Sequence, residues 1–554
     1  MERRDVLKLG ALGILGAGAL ATPLGEQALS KSASFLASRD FPRPYVAAFR
    51  RPAVLQPYGR IVDEAGPLVK YGVTAQPGTA AVLTRLSTPV WGYNGMLPSP
   101  TIRVADGERV SLRVRNALPA THPQFGHPFA LATHLHGNAS LPEYDGYASD
   151  LSLPGQVKEY QYSCVQGART LWYHDHAMHT TAQNVYSGLV GQFHVRDVWD
   201  EAQLPQGEFD VPLLLSDAMF AANGSLAYDD RTTSGLYGDV VLVNGVPWPV
   251  MKVKRRVYRF RMVVGSISRS WRLFLSTGEP MTIVATDAGM LRVPQQVARF
   301  RHSTGERYEV LIDFSRYAPG TTVDLRNASN KNNVDYDHTN KVMRFVVTDE
   351  PFDGTNDVVP SSLDVHPHAD AVMGLTPQMA RRTTRMRLKH DDRTNEWSIN
   401  GRTWGDVVRS GYKEIIADPA VDDVEIWEVE NSSGGWFHPV HIHLVDFSVL
   451  WRNSTPDRRP FAWERGPKDT VYVGEGETVR LLMRFSVPEG SAGGRYMIHC
   501  HNLPHEDHDM MGQFRVGRVP FDADPHDPIL AAPPSWDSGP ADAPEYEPSF
   551  LAGT

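Results

Sequence analysis

A bulky apolar residue followed by Asn-Gly recurs three times along this chain, as Tyr93-Asn94-Gly95, Val243-Asn244-Gly245 and Ile399-Asn400-Gly401, at intervals of 150 and 156 residues. Asn-Gly by itself marks only a tight turn, because both residues tolerate positive φ. Here the flanking strands recur with it. Each copy is followed by a short alternating segment, Arg109–Val114, Arg256–Arg261 and Val424–Val429, whose period of two is expected to bury one face and expose the other. The ends of the copies also match. Gly191-Gln192-Phe193-His194-Val195 resembles Gly512-Gln513-Phe514-Arg515-Val516, and Met343-Arg344-Phe345-Val346-Val347 holds the same place in the middle copy. Three successive β-sandwiches are expected.

A chain of 554 residues is too long for one core. The repeat divides it into an N-terminal segment 1–38, sandwiches over 39–200, 201–350 and 385–519, a Pro-, Asp- and Gly-rich linker 351–384, and an extended tail 520–554. The N-terminus places Arg3-Arg4 directly before an apolar run from Leu9 to about Ala21, which reads as a twin-arginine export signal rather than a buried helix. No later segment has the roughly 18 apolar residues of a spanning helix, so the mature chain is expected to be soluble, without a membrane partner, in a periplasmic or extracellular setting. A net charge of -9 argues against nucleic acid as a partner. Two cysteines, Cys164 and Cys500, leave disulfides no large role in stability.

Ten of the 21 histidines fall in four tight clusters: His134 and His136; His174 and His176; His438, His441 and His443; and His499, His501 and His505. Residues two apart on a strand share a face, so each His-X-His pair can present two imidazoles to one metal cluster. Eight such imidazoles suffice for three metal ions. Imidazole suits copper, zinc, iron and nickel alike. The last cluster discriminates among them: Cys500 points away from His499 and His501, and with His438, His505 and Met510 it makes a trigonal His2Cys site with a weak axial Met, the ligand set of blue copper. A zinc hydrolase would have no use for that set. The first two clusters lie in the first module and the last two in the third, so the eight-imidazole site is expected to straddle that interface, with the second module as a spacer.

At these residues the sequence resembles the multicopper oxidase family, most closely bilirubin oxidases, phenoxazinone synthases and spore-coat laccases. The similarity runs through Ala168–His179, His441–Phe447 and His499–Leu503 up to Met511. The resemblance implies an all-β fold of three consecutive cupredoxin-like Greek-key β-sandwich domains and four copper ions. Type 1 copper would be held by His438, Cys500, His505 and Met510, type 2 by His134 and His441, and the type 3 pair by His136, His174, His176, His443, His499 and His501. It further implies O2 as acceptor, phenolic, aminophenolic or tetrapyrrole donors, Asp145 and Glu506 as proton-relaying carboxyls, and Trp436 near the donor side, either linked to the type 1 histidine or simply packed there. Where spore-coat laccases carry a glutamate between the Cys and the type 1 His, this chain has Pro504. The alternatives are a Cu(I) or Mn(II) metallo-oxidase, against which no Met-rich insertion is present, and a copper-free exported structural protein, against which every ligand position is filled.

Overall fold

The computed structural model describes residues 33–123, 126–229 and 234–519 and the backbone of Leu530–Ala531. The twin-arginine motif and all but that short piece of the expected tail lie outside the described residues. Three pairs of sheets follow one another along the chain: six- and four-stranded, seven- and five-stranded, then five- and four-stranded. The larger sheet of each third contains the same crossover. Gly66–Ala80 runs parallel to Arg109–Asn116, Asp210–Ala218 to Val257–Val264, and Arg382–Asp391 to Val424–Asn431, within otherwise antiparallel neighbours.

The repeated Asn-Gly pairs all adopt the same geometry. Both residues have positive φ each time: Asn94 57° and Gly95 65°, Asn244 52° and Gly245 72°, Asn400 55° and Gly401 71°. Each asparagine then clamps a residue of the first of the two parallel strands in its sandwich. Its Oδ1 accepts from the backbone N–H of Thr74, Leu214 or Arg387, and its own N–H returns to the same residue's carbonyl. The repeat is therefore a structural staple, which explains why it recurs with its strands.

One strand departs from the expected alternation. Val257–Val264 is buried at all eight positions, because Arg259 and Arg261 on its polar face turn into the contact with the first third and pair there with Asp200, Asp210 and Glu309. Buried guanidiniums are tolerated only when paired in this way. The linker also carries more order than its composition suggests. Pro367–Met373 is helical, the strand Arg382–Asp391 begins within its expected span, and His368 Nε2 reaches Asp446 Oδ2 of the last third at 2.7 Å. Leu530–Ala531 pairs with Gln156–Val157 on the edge of the first sandwich.

Candidate metal centres

The four histidine clusters end on four short edges that meet between the first and last sandwiches. His134 and His136 belong to the strand Thr133–His136 and His174 to Arg169–Asp175, paired so that His134 lies opposite His174. His438 and His441 belong to His438–Ile442, and His499 and Cys500 to Gly494–Cys500, with His441 opposite His499 and Val440 opposite Cys500. Across the interface the rings stack in pairs from different sandwiches: His136 on His441 at 3.7 Å and 16°, and His134 on His443 at 4.0 Å and 29°. All eight imidazoles are buried to 1% exposure or less.

Donor nitrogens gather in three groups, His134–His136–His441, His136–His174–His501 and His176–His443–His499. The pair His174 and His176 is thus divided between two corners of one cage. In the third group His499 Nε2 lies 3.2 Å from both His176 Nε2 and His443 Nε2, close to the separation of nitrogens that share one cation at about 2.0–2.1 Å. Elsewhere His134, His136, His174 and His441 each spend one ring nitrogen on the protein, while both ring nitrogens of His501 are buried without a hydrogen-bond partner. His134 and His441 donate from Nδ1 to the carbonyls of Asp145 and Asp469, at 2.5 and 3.0 Å, and His174 from Nδ1 to the Asp175 carbonyl at 2.8 Å. Their Nε2 atoms, buried, have no protein partner. His136 is reversed: Nε2 meets Asp469 Oδ1 and Thr470 Oγ1, both at 3.1 Å, and Nδ1 is the orphan. An unsatisfied buried polar atom costs about 1–3 kcal/mol. Several convergent orphans on neutral rings are what a bound cation requires, so the cage fits copper. Burial pushes the His174 ring pKa down from 6.5 to about 3 and that of His176 to about 4, which keeps their lone pairs available.

Two carboxyls touch the rings. Asp145 Oδ2 accepts from His443 Nδ1 at 2.7 Å. Burial pushes the Asp145 carboxyl well above the usual range, while a His443 ring presenting Nε2 inward must donate its Nδ1–H and so favours the carboxylate. Glu506 places Oε2 2.8 Å from His499 Nδ1 and Oε1 3.4 Å from His176 Nδ1. Burial disfavours its charge, yet the imidazoles of His499 and His176 outweigh this and hold it at about 2. Glu506 is fixed by its neighbour: Asp507 accepts from the N–H groups of Thr181 and Ala182 at the start of the helix Thr181–Ser187.

On the other face of Gly494–Cys500 lies a second site. His438 Nδ1 is 3.2 Å from Cys500 Sγ and 3.2 Å from His505 Nδ1, and Sγ is 3.6 Å from His505 Nδ1. Met510 is fully buried, its N–H donating to the His505 carbonyl and its carbonyl accepting from Cys500 N–H. Ser433 Oγ and Asn502 Nδ2 lie 2.8 and 3.1 Å from the outer nitrogens of His438 and His505. Burial pushes the Cys500 thiol well up, against a hydrogen bond from Asn502 N–H at 3.4 Å, so forming the thiolate needs a cation beside it. The soft, three-donor set with Met510 alongside fits copper.

Trp436 is half-buried and lies edge-on to His505 at 5.9 Å. The ring packed closest on the site is Trp397, face-on to His505 at 3.9 Å. Sequence reasoning missed Trp397, Asp469 and Arg307, none of which lies in a histidine motif. Met511 packs in a small core with Tyr147 and Trp404, and Cys164 is a buried free thiol.

Paired sandwiches that share a histidine cage, wired by one strand to a His2Cys site, define a class of copper-dependent oxidoreductase. Family models for "Multicopper oxidase" match residues 74–199 and 377–519. The chain is 39% identical over 467 residues to a bilirubin oxidase of Albifimbria verrucaria, covering 81% of this chain and 77% of that one. It is 31% identical to a laccase of Bacillus subtilis, covering 87% and 99%. A multicopper oxidase structure from Aquifex aeolicus superposes with a TM-score of 0.72 at 27% identity, covering 86% of this chain and all of the other. The chain belongs to the multicopper oxidase family. The cupredoxin-like fold, the copper requirement and the use of O2 with organic electron donors follow from that membership.

Proposed function

We propose that this chain is an oxidase of the laccase or bilirubin-oxidase kind, holding four coppers: type 1 on His438, Cys500, His505 and Met510, type 2 on His134 and His441, and a type 3 pair on His136, His174, His176, His443, His499 and His501. The observation that carries this reading is the alternation in His499-Cys500-His501, which sends one thiol to one site and two imidazoles to the other from a single strand. Bound copper would supply one-electron redox chemistry at the first site and dioxygen reduction at the second. Cys500 joins them through two adjacent peptide units. Four electrons and four protons per O2 yield two waters, so the cage needs proton carriers as well. Asp145 and Glu506 are candidates for this, each within 2.8 Å of the Nδ1 of a different candidate ligand, His443 and His499. Pro504 sits in the first turn of the helix Leu503–Asp507 and offers no carboxyl.

The donor side faces His505, with Trp397 and Trp436 as its aromatic neighbours, which suits phenolic, aminophenolic or tetrapyrrole donors. The Arg3-Arg4 motif supports export by the twin-arginine route. Copper analysis and oxygen uptake test the whole reading: about four coppers per chain by ligand count, and O2 consumption with bilirubin, phenols or aminophenols exceeding that with cuprous or manganous ions. A chain that takes up no copper, or reduces no O2 with any organic donor, would overturn it. Mass spectrometry of the peptide holding Trp436 and His438 tests the link between them. A mass two hydrogens below the sum is expected of a crosslink, and the unmodified sum removes it.

A further inference from the structure

The middle sandwich supplies no histidine to the cage, yet it sends one guanidinium to it. Arg307 is fully buried, and its five N–H groups meet five acceptors. Nε donates to the Thr170 carbonyl of the first sandwich at 3.0 Å. Nη1 and Nη2 donate to the Gly305 and Asp287 carbonyls of the second at 3.1 and 2.9 Å, and to Asp469 Oδ1 and Oδ2 of the third at 2.6 and 2.5 Å. Asp469 is in turn the residue that sets two rings. Its Oδ1 accepts from His136 Nε2, which leaves Nδ1 facing inward, and its carbonyl accepts from His441 Nδ1. His136 and His441 are the pair stacked at 3.7 Å, so turning one ring moves the other. The fit is tight on every side. Gly137, at φ 90°, follows His136, and a Cβ there would overlap both Arg307 Nη2 and Asp469 Oδ2. On the same turn of the second sandwich, Thr304 Oγ1 donates to the His501 carbonyl at 2.6 Å, and a Cβ on Gly305 would lie 2.7 Å from His501 Cδ2.

We propose that Arg307 is the positioning residue of the corner where His136, a type 3 ligand, stacks on His441, a type 2 ligand: by holding Asp469 in a two-pronged clamp it sets the ring orientation and tautomer of His136 directly and the ring of His441 through that stack, and so makes copper retention at the type 2 position depend on the sandwich that contributes no ligand. This rests on the copper assignment above. An ammonium cannot reproduce the clamp, because Lys offers three donors from a point rather than five from a planar fork. Partners one step removed from a metal govern its affinity by about 10–100-fold.

The test compares copper-loaded wild type with Arg307→Lys, Asp469→Asn and Arg259→Lys, the last an equally buried guanidinium of the same sandwich that pairs with Asp200 and Asp210. Copper content, blue absorption, the type 2 paramagnetic signal and the thermal midpoint are read for each. Asp469→Asn, whose side chain touches a ligand ring, is expected to keep the blue absorption while copper affinity at that corner falls about 10–100-fold, and Arg307→Lys, one partner further out, to lower it in the same direction by a smaller factor with the type 2 signal altered. Arg259→Lys should lower the midpoint and leave the type 2 signal alone. Should Arg307→Lys fail to fold, Asp469→Asn, which keeps size and shape, is read in its place. A folded variant with an unchanged type 2 signal and full copper overturns the proposal, as does equal loss of that signal in Arg259→Lys. Wild type without copper or blue colour strikes the copper assignment instead.

Discussion

Cys500→Ser is expected to bleach the blue colour and reduce turnover to background in one step, with copper falling from about four to about three per chain. A serine oxygen cannot replace a thiolate as a soft ligand, and His438 and His505 alone make a poor site. The cage should survive, because His499 and His501 point to the opposite face and are held by other contacts, His499 by the strand register with His441 and His501 through the hydrogen bond of Thr304 to its carbonyl. Visible absorption, metal analysis and O2 uptake on one preparation decide the matter. Turnover retained without the blue band would mean that electrons reach the cage by another route than the Cys500 sulfur.

A steep acid sensitivity of the copper-free protein is the second expected result. Folded-state pKa values of about 3 at His174 and His438 and about 4 at His176 lie below the ordinary 6.5, so the unfolded chain takes up protons that the folded chain refuses. Stability is therefore full above pH 6.5 and is lost as pH falls toward 3. At pH 5 each of these three rings removes about 2 kcal/mol, at about 1.4 kcal/mol per unit, and the three together exceed the lower end of ordinary net stabilities of about 5–15 kcal/mol. Copper occupies the native rings and not the unfolded ones, which adds stability and moves the acid midpoint downward. Denaturation followed from pH 7 to pH 4 with and without chelator should show the chelated sample unfolding at higher pH. Coincident curves would mean that the buried rings are not metal ligands.

The convergence of the candidate ligands was legible because each is encoded locally. His-X-His on a strand, and a Cys between two such histidines, carry their geometry in a spacing of two residues. The sandwiches were legible for a related reason, since Asn94, Asn244 and Asn400 each staple their own sandwich and so recur with it. What holds the ligands was not legible. Asp469 meets His136 across 333 residues and Arg307 meets Asp469 across 162, contacts that no short motif announces. Trp397 stacks on His505 from a strand whose sequence, Glu396–Ile399, reads only as a strand. The expected exposure of one face of Val257–Val264 failed for the same reason: its arginines are satisfied by carboxylates that other elements bring to them.

The two metal sites also differ in what must exist before they can fill. His438, Cys500, His505 and Met510 all come from the last sandwich, so that site is complete once a single domain has formed. The cage is split between the beginning and the end of the chain and is braced from the middle, and each of its three donor groups draws on both ends. Synthesis must finish, and all three domains must dock, before the larger centre can acquire its metal. On the copper assignment proposed above, maturation would be ordered, and loss of docking at any later time would empty the proposed oxygen-reducing centre before the blue one.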